Sequence, residues 1–275
     1  MPSILLHLVA AFLYLALAAL SWRSRWRGPA LDRPRSALAA WERIGLIIAL
    51  LAHGAALTRE IFPGDAMHFS FSIAISMILW LAIAFYWVES LYARMEGLQM
   101  IGLPVAAVAV MLPSLFPAQH LLTNASSMEF RAHFLVAMLA YSLFTLAALH
   151  AMLMAFAEER LHKGRLTPLL ASLPPLLTME TLLFRLIHVA FALLTLTLAS
   201  GILFSESLFG KALSFNHKTV FAILSWLIFA ALLSGRHLRG WRGRKVLRWT
   251  LAGFVALMLA YVGSRFVLEV LLGRN

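Results

Sequence analysis

The sequence predicts an all-α, polytopic membrane protein of about eight transmembrane helices, with both termini on the outer side. Three observations carry this. Hydrophobic residues make up 62% of the 275 and charged residues 13%. A soluble domain runs near ~45–50% and ~25%, and a core of this size cannot hide the excess. The apolar residues fall into eight runs, each suited to a hydrocarbon layer that takes roughly 20 residues per helix. Basic residues alternate sides from one connecting loop to the next. The same composition excludes disorder. The net charge of +11 is then a topology signal, not a nucleic-acid one. With no Cys, disulfides, thiolate metal sites and iron–sulfur clusters are excluded.

The runs are Ile4–Trp22, Trp41–Thr58, Phe69–Leu91, Leu98–Phe116, His133–Phe156, Leu182–Phe204, His217–Ser234 and Leu247–Leu272. They are continuous and Leu/Ala-rich, without the alternation of a barrel strand, so each satisfies its backbone as a helix. The first has no basic residue before it and a basic cluster after it, which reads as an N-out anchor and not a cleaved leader. Pro104 and Pro113 predict a kink in the fourth. Glu158-Glu159-Arg160 predicts that the fifth helix continues past the membrane, and Leu173-Pro174-Pro175 stops the chain before the sixth. The whole chain, 1–275, reads as one integral membrane domain.

Orientation follows from the charges. Seventeen of the 23 Lys and Arg lie in or beside odd-numbered loops: Arg23, Arg25, Arg27, Arg33, Arg35 and Arg43; Arg94; Arg160, Lys163, Arg165 and Arg185; Arg236, Arg239, Arg242, Arg244, Lys245 and Arg248. These loops face the cytoplasm by the positive-inside rule. Trp22, Trp26, Trp41, Trp87, Trp241 and Trp249 cluster at the same boundary, as an aromatic belt would.

The ten histidines are the notable polar inventory. His162 and His237 fall in basic loops and read as solvated; His68 and His120 lie in outer loops. His133 opens the fifth span at its outer end, where a neutral imidazole suits an axial haem ligand and equally suits an interfacial His bonded to water or backbone. His53, His150 and His188 lie within spans. Intramembrane polar groups are often functional, but a neutral His is readily absorbed by helix–helix hydrogen bonding. Arg265 sits inside the last span and either snorkels outward or binds an anion. Lys218 has the same two readings. Glu180 and Arg185 neutralise each other or a neighbouring helix. No carboxylate is read as lying deep in a span, and no Ser/His/Asp set stands in a telling context, so catalysis and proton-coupled transport find little support.

The second half, from about 131 to 275, resembles the cytochrome c assembly family, the haem-handling CcsA-, ResC- and HemX-like group, and within it the short YpjD-like inner membrane proteins. The stretches that carry the resemblance come in order. They are Arg131-Ala132-His133-Phe134 followed by Tyr141-Ser142; Met179-Glu180 with Arg185; Phe191-Ala192-Leu193-Leu194-Thr195 and Ser200-Gly201; Asn216-His217-Lys218-Thr219 with Trp226; Gly240-Trp241-Arg242-Gly243-Arg244-Lys245; and Tyr261-Val262-Gly263. Full members carry Trp-x-Trp-Asp-Pro-Lys where this chain has Ser214-Phe215-Asn216-His217-Lys218, and their second outer His has no counterpart. The resemblance implies haem as cofactor, with His133 as ligand to its iron, His217 or His53 as second ligand, and Arg265, Lys218 or Arg131 as propionate partners. It implies a bacterial cytoplasmic membrane, with lipids and other cytochrome c assembly proteins as partners and no nucleic acid. The competing readings are a non-haem scaffold or accessory subunit that keeps the fold and, further off, a small-solute carrier.

Overall fold

The structure, a computed structural model, describes residues 2–26, 39–64, 67–93, 95–117, 127–164, 170, 173–203 and 217–271. Arg27, Asp65, Arg94, His120, Arg165, Glu206, Lys211, Asn216 and Arg274 lie outside the described residues. The helices are α1 (Pro2–Trp26), α2 (Ala40–Ile61), α3 (Phe71–Glu89), α4 (Gln99–Leu115), α5 (Met128–His162), α6 (Leu176–Leu203), α7 (His217–Arg239) and α8 (Arg244–Met258). Beyond α8 the chain stays helical but loosens into π turns at Leu259–Gly263 and Val267–Leu271, with Ser264–Phe266 between them.

Among the described residues, seven helices are long and apolar enough to cross a membrane. The fourth expected span is the exception: α4 has 17 residues, about 26 Å at 1.5 Å per residue, and contains Pro104 and Pro113. Helix α5 is the longest at 35 residues, about 52 Å, so it outruns a bilayer core as its charged last turns predict. Pro174 and Pro175 immediately precede α6.

Helices consecutive in the chain run in opposite directions. We call the end where α1, α3, α5 and α7 begin the upper end, which the charge bias expects to face outward. Helix α1 packs on α2 and α4, and α3 joins α4 to α5; α5 in turn packs along α6 and α8. Every residue from 140 to 151 is buried, so α5 is covered on all sides, as expected for a helix apolar all round. Phe144 of α5 stacks on Phe229 of α7 at 3.9 Å. Gly253 of α8 allows this, since a Cβ there would lie 2.8 Å from the Phe229 ring.

Polar groups in the spans are mostly satisfied by their own helix. Ser142, Thr145, Thr197 and Thr250 each donate to the carbonyl four residues back, which removes the cost of an unpaired hydroxyl in lipid. Other bonds cross between helices, among them Trp80 Nε1 to Leu50 O at 2.8 Å and Ser225 Oγ to Gly253 O at 2.9 Å.

Candidate functional site

At the upper end, Ser127 caps α5 by accepting from Phe130 N, and the first turns then present Arg131, His133 and Phe134. Arg131 is exposed and His133 half-buried. His133 Nδ1 lies 2.8 Å from Ser200 Oγ on α6. The Ser200 hydroxyl donates its own proton to Thr197 O at 3.1 Å, so it accepts from the imidazole. That places the ring proton on Nδ1 and the lone pair of the neutral ring on Nε2. Gly201 flanks the ring: a Cβ there would touch His133 Cε1 at 3.5 Å. The Ser-Gly pair of the sequence motif is thus the partner of the His of the first motif.

An aromatic row leads from His133 to the last helix. Phe130 stacks on Phe134 at 6.0 Å, Phe134 meets Phe69 edge-on at 4.9 Å, and Phe69 meets Tyr261 at 6.2 Å. Past Tyr261, between the two π turns, stands Arg265. Its guanidinium is 3.7 Å from Glu269 Oε1, and Glu269 Oε2 accepts from Phe71 N at the start of α3 at 3.2 Å. Lys218 on α7 lies within electrostatic reach of both Arg265 and Glu269. The structure therefore brings Arg265 and Lys218 together, and adds Glu269. Glu269 stands at the end of the last span, with its side chain only 13% exposed. Its signal was in the sequence, four residues after Arg265, a pairing distance on one helix face. The π turns carried no such signal, although irregular turns of this kind are common at functional sites.

The remaining candidates lie apart. His217 is exposed at the start of α7. His53 is fully buried, and both its ring nitrogens are engaged, Nδ1 by Tyr14 OH at 3.2 Å and Nε2 by Ser76 Oγ at 2.9 Å. Those partners come from α1 and α3, so the structure makes His53 an interhelical bridge and does not join it to His133. His150 reaches a second buried acid, Glu89 at the end of α3, with Nε2 3.1 Å from Oε1. That bond is the helix–helix pairing expected of an intramembrane His. Among the described residues no group of three or more His, Asp or Glu could hold a metal.

The lower end is organised differently. Glu180 of α6 pairs with Arg236 of α7 at 2.6 Å, not with Arg185, and its other oxygen accepts from Gly243 N at 3.2 Å. Arg236 also donates to Trp241 O at 3.0 Å and lies 4.6 Å over the Phe184 ring. Gly240 and Gly243 take positive φ, 63° and 60°, a conformation that favours glycine. Trp241 packs against Gly235, where a Cβ would fall 2.4 Å from the indole, and Lys245 Nζ sits 3.6 Å over the same ring. The Gly-Trp-Arg-Gly-Arg-Lys stretch is thus a two-glycine turn clasped by one acid and one guanidinium. A groove of about 550 Å³ beside it is walled by Met154, Leu161, Leu176, Leu177 and Leu247. It lies at the opposite end of the bundle from His133.

The chain is similar to known proteins. The family profile described as cytochrome C assembly protein matches residues 41–272, so it reaches back through α2 to α4 as well as covering the second half. The chain is 28% identical over 237 residues to the inner membrane protein YpjD of Escherichia coli K12, covering 84% of this chain and 89% of that one. It is 38% identical over 144 residues to an uncharacterized 28.8 kDa protein of Azospirillum brasilense, about half of each. It is 33% identical over 92 residues to the cytochrome c biogenesis protein CcsA of Gloeobacter violaceus, 34% of this chain and 27% of that one. No solved structure matches it.

Proposed function

The chain belongs to the cytochrome C assembly protein family, and from that premise we propose that it binds and presents haem at the upper end of its bundle during cytochrome c biogenesis in a bacterial inner membrane. The observation that carries the reading is the oriented imidazole of His133, its proton held by Ser200 and its lone pair on Nε2. Haem iron takes a neutral imidazole of this kind, and the redox chemistry would be the haem's own. Arg265 and Lys218 supply positive charge for propionates. Glu269 offsets part of that charge and ties the last helix to α3. Phe134 and Tyr261, the half-buried members of the aromatic row, give the macrocycle an apolar surface between the two polar groups. Arg131 and His217 stand exposed at the upper ends of α5 and α7. The protein acts by binding, with assembly proteins and lipid as its partners, and not by catalysis.

One observation favours the accessory-scaffold reading: the lower clasp of Glu180, Arg236 and Gly243 uses family motif residues purely to hold the turn. A single experiment separates the two readings. Protein purified from haem-replete cells is examined by absorption spectroscopy, oxidised and reduced. Under the haem reading it shows a Soret band that His133→Ala removes or shifts and added imidazole partly restores. His162→Ala, at the far end of α5, leaves the band unchanged. Arg265→Gln and Lys218→Gln weaken retention more than they alter the spectrum. Wild-type protein without a Soret band, and without one on haem titration, would leave the scaffold reading in place.

A further inference from the structure

We propose that Glu269 is a built-in competitor within the charged group at the upper end: its carboxylate occupies Arg265 and Lys218 until a ligand's own carboxylate takes them over. The proposal deepens the haem-binding reading and rests on it for the ligand, whose competing group is a porphyrin propionate.

The group holds two cations against one acid. Arg265 approaches Glu269 Oε1 to 3.7 Å. Lys218 and Tyr261 both feel the same two charges, Arg265 and Glu269, and Tyr261 also hydrogen-bonds Arg265. All four side chains are half-buried. Charges drawn out of water need partners, and one carboxylate cannot balance two cations. The group is therefore one negative charge short, which is the charge of one propionate.

The resident acid is also held back from its partner. Glu269 Oε2 accepts from Phe71 N at 3.2 Å, which ties the carboxylate to the start of α3. Oε1 stops 3.7 Å from the guanidinium, too far for a hydrogen bond. Arg265 Nε and Glu269 Oε1 are left buried without hydrogen bonds. A guanidinium presents a fork of donors that a carboxylate can engage two at a time. Glu269, anchored through its other oxygen, does not do so. A ligand carboxylate is free to, and it exchanges one long contact for short bonds. The exchange leaves the helix in place. Phe266 meets Phe71 edge-on at 5.4 Å, so a ring contact and a backbone bond both keep the last helix on α3 while the Arg265 side chain turns. Glu269 thereby tempers the repulsion between two cations and lowers their affinity for an incoming anion.

Iron-free protoporphyrin tests this apart from His133, because it carries the propionates and no iron. Full-length protein in detergent is titrated with protoporphyrin and with its dimethyl ester, which lacks the charges, and binding is read from porphyrin fluorescence. Glu269→Gln keeps an oxygen to accept from Phe71 N, so it removes the charge and not the anchor. It should bind protoporphyrin more tightly by roughly fivefold, the worth of one partly screened ion pair, and should bind the ester no better than the wild type does. Arg265→Gln should weaken protoporphyrin binding by at least about tenfold. Should Glu269→Gln not accumulate, the wild type decides: infrared difference spectra should show a glutamate carboxylate band shifting when protoporphyrin is added and not when the ester is. Equal protoporphyrin affinity in wild type and Glu269→Gln, an equal gain for the ester, no protoporphyrin binding by either protein, or a carboxylate band that stays fixed overturns the proposal. Failure of the haem reading is seen separately, as a missing Soret band or one indifferent to His133→Ala.

Discussion

The clasp on the α7–α8 connection and the polar group around Arg265 hold their charges in opposite ways. At the lower end the clasp leaves no strong group idle: Glu180 uses both oxygens, Arg236 makes two hydrogen bonds and covers a ring, and Trp241 fills the space over Gly235. At the upper end Arg265 and Glu269 approach only to 3.7 Å, and Arg265 Nε and Glu269 Oε1 are buried without hydrogen bonds. Buried polar atoms of that sort call for an explanation in strain, water or a ligand. The contrast sets a closed clasp that fixes the α7–α8 connection against a looser polar group with unpaired buried atoms.

That contrast can be broken by substitution, beginning with the largest effect. Arg236→Ala removes the partner of a nearly buried carboxylate, and should cost about 3 kcal/mol of stability, read as a lower unfolding midpoint in detergent. Glu180→Gln in the Arg236→Ala background should recover much of the loss. Gly235→Ala pushes a methyl into the Trp241 indole and should cost about 1–3 kcal/mol; fluorescence of Trp241 should shift as the ring leaves its seat. If either variant leaves the midpoint unchanged, the clasp is not what holds the lower end. Ser200→Ala removes one hydrogen bond from His133 and should cost about 1 kcal/mol. Its larger effect should be on haem retention, and equal losses of retention and stability would make the upper end structural like the lower. Lys163→Ala breaks an exposed pair with Glu159 and should leave the midpoint unchanged, because solvent screens such pairs.

Much of the fold was legible because bilayer thickness imposes length and apolarity on each span. Helix α5 and its extension and the Pro stop before α6 follow sequence features. Arg265 and Glu269 are legible too, as residues four apart, but near the end of a span an acid is far less conspicuous than an arginine within it. Other features depend on which helices become neighbours, and no local signal reports that. Glu180 selects Arg236 across the bundle over Arg185 on its own helix. Glu89 finds His150, and His53 is sealed between Tyr14 and Ser76, only because α1, α3 and α5 are placed around them.

The π turns in the last helix bear on how its relatives line up with it. Each such turn accommodates one residue more than an α-helical path, and every residue added swings the next part of the helix by about 100° around the axis. The part of the last helix before Leu259 and the part around Arg265 therefore count on different registers. A gapless comparison with a relative whose last helix is regular would set Arg265 and Glu269 against the wrong faces. Within α8 itself a one-residue deletion is ruinous, whereas in Leu259–Gly263 or Val267–Leu271 it would simply restore an ordinary helix and re-aim the tip.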